Sequence, residues 1–384
     1  MMIIFIIVLR VVCYSILRNV AKLFCNAIKM CYHMLMKTYF EKRADDCILR
    51  TREILKELPQ FAERFFIGVE QTTSPLTRLN YGYDLRVFFE YLMTQTDAFE
   101  KDLRELEPSD LNVISADMIE NFLSYLSHYE YDNKEYSNGD QGKSRKLSTI
   151  KSFFSYFYNK GFINENVTQK VKMPKLHDKP IVKLETDEVS KLITIAEAGS
   201  SLTDREKAYH YYTKERDVAI ITLMLGTGIR VSECVGLNLN DLDFETNGIK
   251  ITRKGGNQEI VYFGDEVRDA LLKYLKVREE NKQARHEDAV FLSMQNKRIN
   301  VRTVQLLVKK YASATTPLKK ITPHKLRSTY GTELYRETKD IYIVADVLGH
   351  KDVNTTKKHY AAISEDLRRD VANKVKLRDD DIRE

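Results

Sequence analysis

Apolar side chains recur at spacings of three and four through most of this chain, and that rhythm restricts it to a mainly α fold. Leu76, Leu79, Tyr83, Val87, Phe88, Tyr91 and Leu92 share one face of an amphipathic helix, and Thr73-Ser74-Pro75 supplies its cap and first turn. The helical pattern runs from about Glu41 to Val171, with a second helix near Ala116 to Tyr129 and a polar loop over Asn133 to Gly142. Lys172 to Lys183, with Pro174, Pro180 and several lysines, has no periodicity and reads as an exposed interdomain linker. Helical patterning resumes after Thr186, a good N-cap, with Asp187 and Glu188 placed where negative charge suits the helix dipole. The exception is Gly248 to Phe263, which alternates as a hairpin: Ile249 and Ile251, a Lys254-Gly255-Gly256-Asn257 turn, then Ile260, Val261 and Phe263. The expected organisation is therefore a helical bundle over 41–171, a linker over 172–183, a mixed α/β domain over 184–364 and a tail helix over 365–384.

The first 35 residues stand apart. Met1 to Leu9 is unbroken apolar sequence, Arg10 ends it, and no acid appears before Glu41. The stretch is interrupted too early for a spanning helix and lacks the order of a cleavable signal. A membrane-surface helix, a partner-packing helix and an upstream extension with Met34 or Met36 as the working start all fit. The extension is preferred, because ordinary soluble composition begins near Met36.

Lys plus Arg total 61 against 55 for Asp plus Glu, a net charge of +6 that by itself supports nucleic acid only weakly. Position says more. Between Gln141 and Asn164 lie Lys143, Arg145, Lys146, Lys151 and Lys160 with no acid. Leu147, Ile150, Phe153, Phe154 and Phe157 form the buried side of that helix. Arg145, Ser148, Ser152 and Ser155 fall opposite, with Lys151 nearby. This small, polar, positive face suits close approach to DNA phosphate and base edges, and equally suits a solvated helix face. Lys143, Arg145, Lys146, Ser148, Lys151 and Ser152 are the expected DNA-contacting residues.

Several chemistries are absent. Gly226-Thr227-Gly228 has Val231 where a dinucleotide loop needs its third glycine, and there is no G-x-x-x-x-G-K-[ST] for ATP. The five cysteines show no C-x-x-C spacing, the eight histidines are not spaced as ligands, and no acidic cluster suits two-metal catalysis, so neither metal nor cofactor is expected. What remains is cationic. Arg230 follows the Gly-Thr-Gly turn and opens a short helix, Lys254 sits at the hairpin tip, and His324 and Arg327 are one helical turn apart. His350 follows Leu348-Gly349, and Tyr360 follows in turn. Singly, each has an ordinary structural role. Tyr342, within Ile341-Tyr342-Ile343, reads as buried and is a poor alternative to Tyr360.

In this order, Arg, Lys, His-x-x-Arg, His and Tyr resemble the tyrosine recombinase, or phage integrase, family, over about Glu41 to Leu377. The strings Gly226-Thr227-Gly228-Ile229-Arg230-Val231-Ser232-Glu233, Pro323-His324-Lys325-Leu326-Arg327 and Leu348-Gly349-His350 carry the likeness. One departure is that Tyr360 sits one residue further from His350 than in comparable members. The resemblance implies an N-terminal helical core-binding (SAM-like) bundle, a catalytic domain of the recombinase type and Xer-like activity: cleavage and rejoining of DNA through a 3′-phosphotyrosine, independent of ATP. It implies Tyr360 as nucleophile, Arg230 and Arg327 on the phosphate oxygens, His324 as hydrogen-bond donor or proton acceptor, Lys254 as general acid, His350 orienting the phosphate and Glu233 holding Arg230. It further implies specific double-stranded sites, a homo-tetramer or a hetero-tetramer with a related recombinase, and cytoplasmic, nucleoid-associated work, with membrane association only if residues 1–35 are genuine. The alternatives are an inactive DNA-binding or architectural protein on this scaffold and a type IB topoisomerase-like enzyme, which shares the phosphotyrosine chemistry.

Overall fold

A computed structural model describes residues 37–176, 182–253, 256–281, 287–349 and 353 of the 384-residue chain. The chain divides into two compact units, Met1–Asp178 and Lys179–Glu384. Expectations that fall on residues 1–35, on the tail over 365–384, and on Lys254, His350 and Tyr360 lie outside the described residues.

The first unit is helical. Helix α1 (Tyr39–Leu55) starts at a reciprocal cap in which Thr38 and Glu41 bond each other's backbone amides. It packs along α3 (Pro75–Gln95), with α2 (Ala62–Gly68) between them in sequence. Ser74 caps α3 by accepting from the Thr77 amide, and Pro75 occupies the first helical position, where its missing N–H costs nothing. Then come α4 (Ala116–Tyr125) and α5 (Asp140–Asn159). The core is aromatic: Phe153 lies 4.9 Å from Phe157, and Phe61 meets Phe157 edge-on at 5.1 Å. Such geometry adds about 0.5–1.5 kcal/mol per pair beyond burial.

Two expectations for this unit need correction. Helix α4 ends at Tyr125, not Tyr129, and the following residues are not all loop. Strands β1 (Tyr129–Tyr131) and β2 (Lys134–Tyr136) pair antiparallel, Tyr131 opposite Lys134. Asp132 and Asn133 make that two-residue turn at φ 53° and 55°, a left-handed conformation their short polar side chains tolerate.

In the second unit, α6 (Thr186–Ala198) is capped by Glu185 rather than Thr186: the Glu185 amide donates to Glu188. The central element is α7 (Asp204–Thr227). Val218 to Met224 are buried on every side, as befits a helix enclosed by its neighbours. A short α8 (Val231–Gly236) follows. The expected hairpin is β4 (Gly248–Thr252) with β5 (Gln258–Tyr262), and β3 (Leu242–Asp243) pairs on β4's other edge. Ile249, opposite Val261, and Ile251 point inward, whereas Ile260 is exposed. Helices α9 (Asp265–Glu280) and α11 (Pro323–Thr338) pack on α7, and α10 (Val301–Thr315) packs on α6. Helix α12 (Ile341–Leu348) packs on α11. Its buried face is Val344, Ala345 and Leu348, which leaves Tyr342 70% exposed instead of buried.

A polar knot ties α7 to α10. Buried Asp217 accepts from Tyr311 (2.9 Å), Thr213 (3.0 Å), Arg216 (2.7 Å) and Lys310 (3.2 Å). Among the described residues, no helix is long and apolar enough to cross a membrane, and no group of His, Cys, Asp and Glu is placed to hold a metal ion.

Candidate active site

Helix α7 runs out at Thr227 because Gly228 turns left-handed (φ 62°), and its amide closes the helix on the Met224 carbonyl. A Cβ at Gly228 would run into the Tyr330 ring and Leu348, so both the backbone angle and the space require glycine. The reversal delivers Arg230 as the N-cap of α8. Glu233 then grips it twice, Oε2 accepting from the Arg230 amide (2.7 Å) and Oε1 from its Nη1 (2.8 Å). Glu233 is buried, while the Arg230 side chain keeps 35% of its surface exposed. Arg230 thus enters solvent from a fixed base.

Arg327 comes from the second turn of α11 and is 4% exposed. Its Nη1 donates to the Gly228 carbonyl (2.6 Å) and its Nη2 to the Leu348 carbonyl. Arg230 Nη2 reaches the next carbonyl, that of Gly349, at 3.3 Å. The fold therefore gathers Arg230, Glu233 and Arg327 at the C-terminus of α12, immediately before His350. His324, on the first turn of α11, is exposed. Burial, and then Asp217, push the Tyr311 phenol far above the usual tyrosine range. Burial likewise pushes the Cys234 thiol, beside this site, up to about 12.

Arg253 joins these residues and was missed in the sequence. Its Nε donates to Glu259 (2.8 Å), its Nη1 to the Leu348 carbonyl (3.1 Å) and its Nη2 to the Val347 carbonyl (2.9 Å). A signal existed: the strand alternation that buries Ile249 and Ile251 puts Arg253 on the same inward face, an unusual place for a charge.

The expected DNA face of α5 is only partly what the spacing suggests. Arg145 and Ser148 are exposed and Ser152 is half-buried. Lys146 is a correction: it is 5% exposed, and its Nζ donates to Asp84 (3.0 Å), a carboxylate with no exposed surface. Arg145 and Thr149 donate to the same carboxylate. Its position beside Leu147 puts Lys146 on the core side, where burial is affordable only against a counter-charge. Lys143 donates to Ser127 (2.7 Å), Lys151 to the Val171 carbonyl (2.8 Å) and Ser148 to the Ser144 carbonyl (2.9 Å).

Known proteins resemble this chain along most of its length. The phage integrase family matches residues 183–366. Tyrosine recombinase XerC of Caldanaerobacter subterraneus subsp. tengcongensis is 33% identical over 360 residues, covering 91% of this chain and 95% of that protein. Tyrosine recombinase XerC of Thermodesulfovibrio yellowstonii is 38% identical over 218 residues, 56% of this chain and 69% of that one. The crystal structure of XerH site-specific recombinase bound to a palindromic difH substrate superposes with a TM-score of 0.57 at 18% identity, over 78% of this chain and 80% of that one, a likeness of fold.

Proposed function

The chain belongs to the tyrosine recombinase (phage integrase) family, and from that premise we propose that Tyr360 is the nucleophile with which it cleaves and rejoins DNA. The phenolate oxygen attacks the scissile phosphorus, the bond to the 5′ oxygen breaks, and a 3′-phosphotyrosine holds the bond energy. Lys254 gives the departing 5′ oxygen its proton. A 5′-hydroxyl from the partner strand then attacks the phosphotyrosine, and the tyrosine leaves. Arg230 and Arg327 neutralise the charge on the non-bridging oxygens. His324 assists at the phenol, and His350 orients the phosphate.

The observation that carries this reading is the convergence of Arg230 and Arg327, from separate helices, on the consecutive carbonyls of Leu348 and Gly349. Double-stranded sites are bound by a tetramer of this chain or of this chain with a related recombinase, with Arg145 and Ser148 on the DNA-facing side of α5. The test takes the tightest-binding duplex recovered from a random pool by the full chain, nicked at successive positions to trap cleaved product. A covalent protein–DNA adduct should form and should vanish in Tyr360→Phe. No adduct from the unaltered chain leaves a DNA-binding protein without the chemistry; an adduct that persists in Tyr360→Phe moves the nucleophile elsewhere.

A further inference from the structure

Resting on that reading, we infer that Arg253 is a positioning residue for strand cleavage: it holds in register the two groups that hold Arg230. Arg230 is anchored at Glu233 and at the Gly349 carbonyl. Arg253 lies against the first anchor and binds the turn that carries the second. Its Nη1 lies 3.7 Å from Glu233 Oε2, and Nη1 and Nη2 bind the Leu348 and Val347 carbonyls, the last turn leading into Gly349. Its Nε is secured in turn by Glu259 on β5.

The side chain is 7% exposed, so this guanidinium has left water and depends on these partners. A residue needed only to fill the end of the hairpin would be apolar, as Ile249 and Ile251 are on the same face. Arg253 instead donates to β5 and to the end of α12, and sets its charge beside Glu233 on α8. The backbone is shaped to receive it. Gly349 is left-handed (φ 61°), and a Cβ there would stand 2.6 Å from Arg253 Cζ. The turn and the guanidinium are in such close contact that a single methyl group would part them.

A positioning role through Arg230 is read by the charge of the substrate. Arg230 neutralises negative oxygens, so a duplex with a neutral methylphosphonate at the cleaved position has far less need of it. The experiment follows single-turnover cleavage of the selected duplex, with phosphate or methylphosphonate at that position, by the unaltered chain, Arg253→Met, Arg253→Lys and Gly349→Ala, with Arg230→Ala as benchmark. Arg253→Met should cleave the phosphate substrate about 30-fold more slowly, with duplex affinity within about threefold, part of the loss expected for the charge-stabilising donor itself. On methylphosphonate its deficit, like that of Arg230→Ala, should shrink to about threefold. Arg253→Lys should recover part of the phosphate rate, keeping the charge but not the fork. Gly349→Ala displaces the guanidinium without removing it, so it should repeat the pattern and serves if Arg253→Met folds poorly. Equal deficits on both substrates, or normal cleavage of the phosphate, overturn the positioning role. If the unaltered chain forms no adduct on either duplex, the recombination reading itself falls and takes this inference with it.

Discussion

Asp84 anchors three side chains of α5, and replacing it with asparagine should loosen the first unit by about 3–5 kcal/mol. The carboxylate has no exposed surface. Oδ1 accepts from Lys146 at 3.0 Å, and Oδ2 accepts from Arg145 at 2.5 Å and Thr149 at 2.9 Å. The two cations do not count equally. The Arg145 side chain is 51% exposed and can turn to water, so its share is below about 1 kcal/mol. The Lys146 side chain is 7% exposed and cannot, so a buried ammonium without its counter-charge sets the magnitude. Hydrogen exchange read by peptide mass in the full chain isolates this unit from the other. Amides of Pro75–Gln95 and Asp140–Asn159 should exchange at least about 100-fold faster, the factor that roughly 3 kcal/mol of local opening produces. Adding Lys146→Met should restore protection to within about tenfold, because two neutral groups tolerate that site better than one stranded charge. DNA affinity of the double variant should keep its salt dependence. Unchanged protection in Asp84→Asn, or a salt slope shallower by about 0.9 in the double variant, would refute the placement of Lys146 as an internal counter-ion.

Three further outcomes concern the second unit. Arg230→Ala should slow first-strand cleavage about 100- to 1,000-fold in single-turnover assays while leaving duplex affinity intact, and a normal rate removes it from the phosphate clamp. Gly228→Ala forces a left-handed alanine into the Tyr330 ring, so its thermal midpoint should fall by more than the roughly 1–2 kcal/mol of backbone strain alone implies; an unchanged midpoint contradicts the close packing. Cys234, buried with its thiol pushed up to about 12, should resist iodoacetamide at pH 8 and become alkylated only in urea, and label found on the Cys234 peptide of the native chain by mass spectrometry would contradict that burial.

Local pattern was enough for much of the molecule. Of the face marked by the three- and four-residue rhythm, Leu79, Phe88, Tyr91 and Leu92 are buried in α3 and Tyr83 and Val87 partly so, whereas Leu76 in the first turn is exposed. Gly-Thr-Gly-Ile-Arg could be read as a turn opening a short helix because a left-handed glycine and an N-cap are properties of a few adjacent residues. The two-residue turn at Asp132-Asn133 was equally local, but the acidic and polar residues around it resemble an ordinary loop in composition, so the hairpin went unread.

What the amino-acid order determined by itself was periodicity, caps and the order of the cationic motifs. Tertiary structure alone decided which groups meet: Asp84 with Lys146 on another helix, Arg253 with the Leu348 and Val347 carbonyls, and Tyr342 turned outward because, among the described residues, only one side of α12 finds a neighbour. The reason is range. A periodic face is a relation among residues a few positions apart, whereas a buried ion needs a partner that only the folded chain brings within about 3 Å.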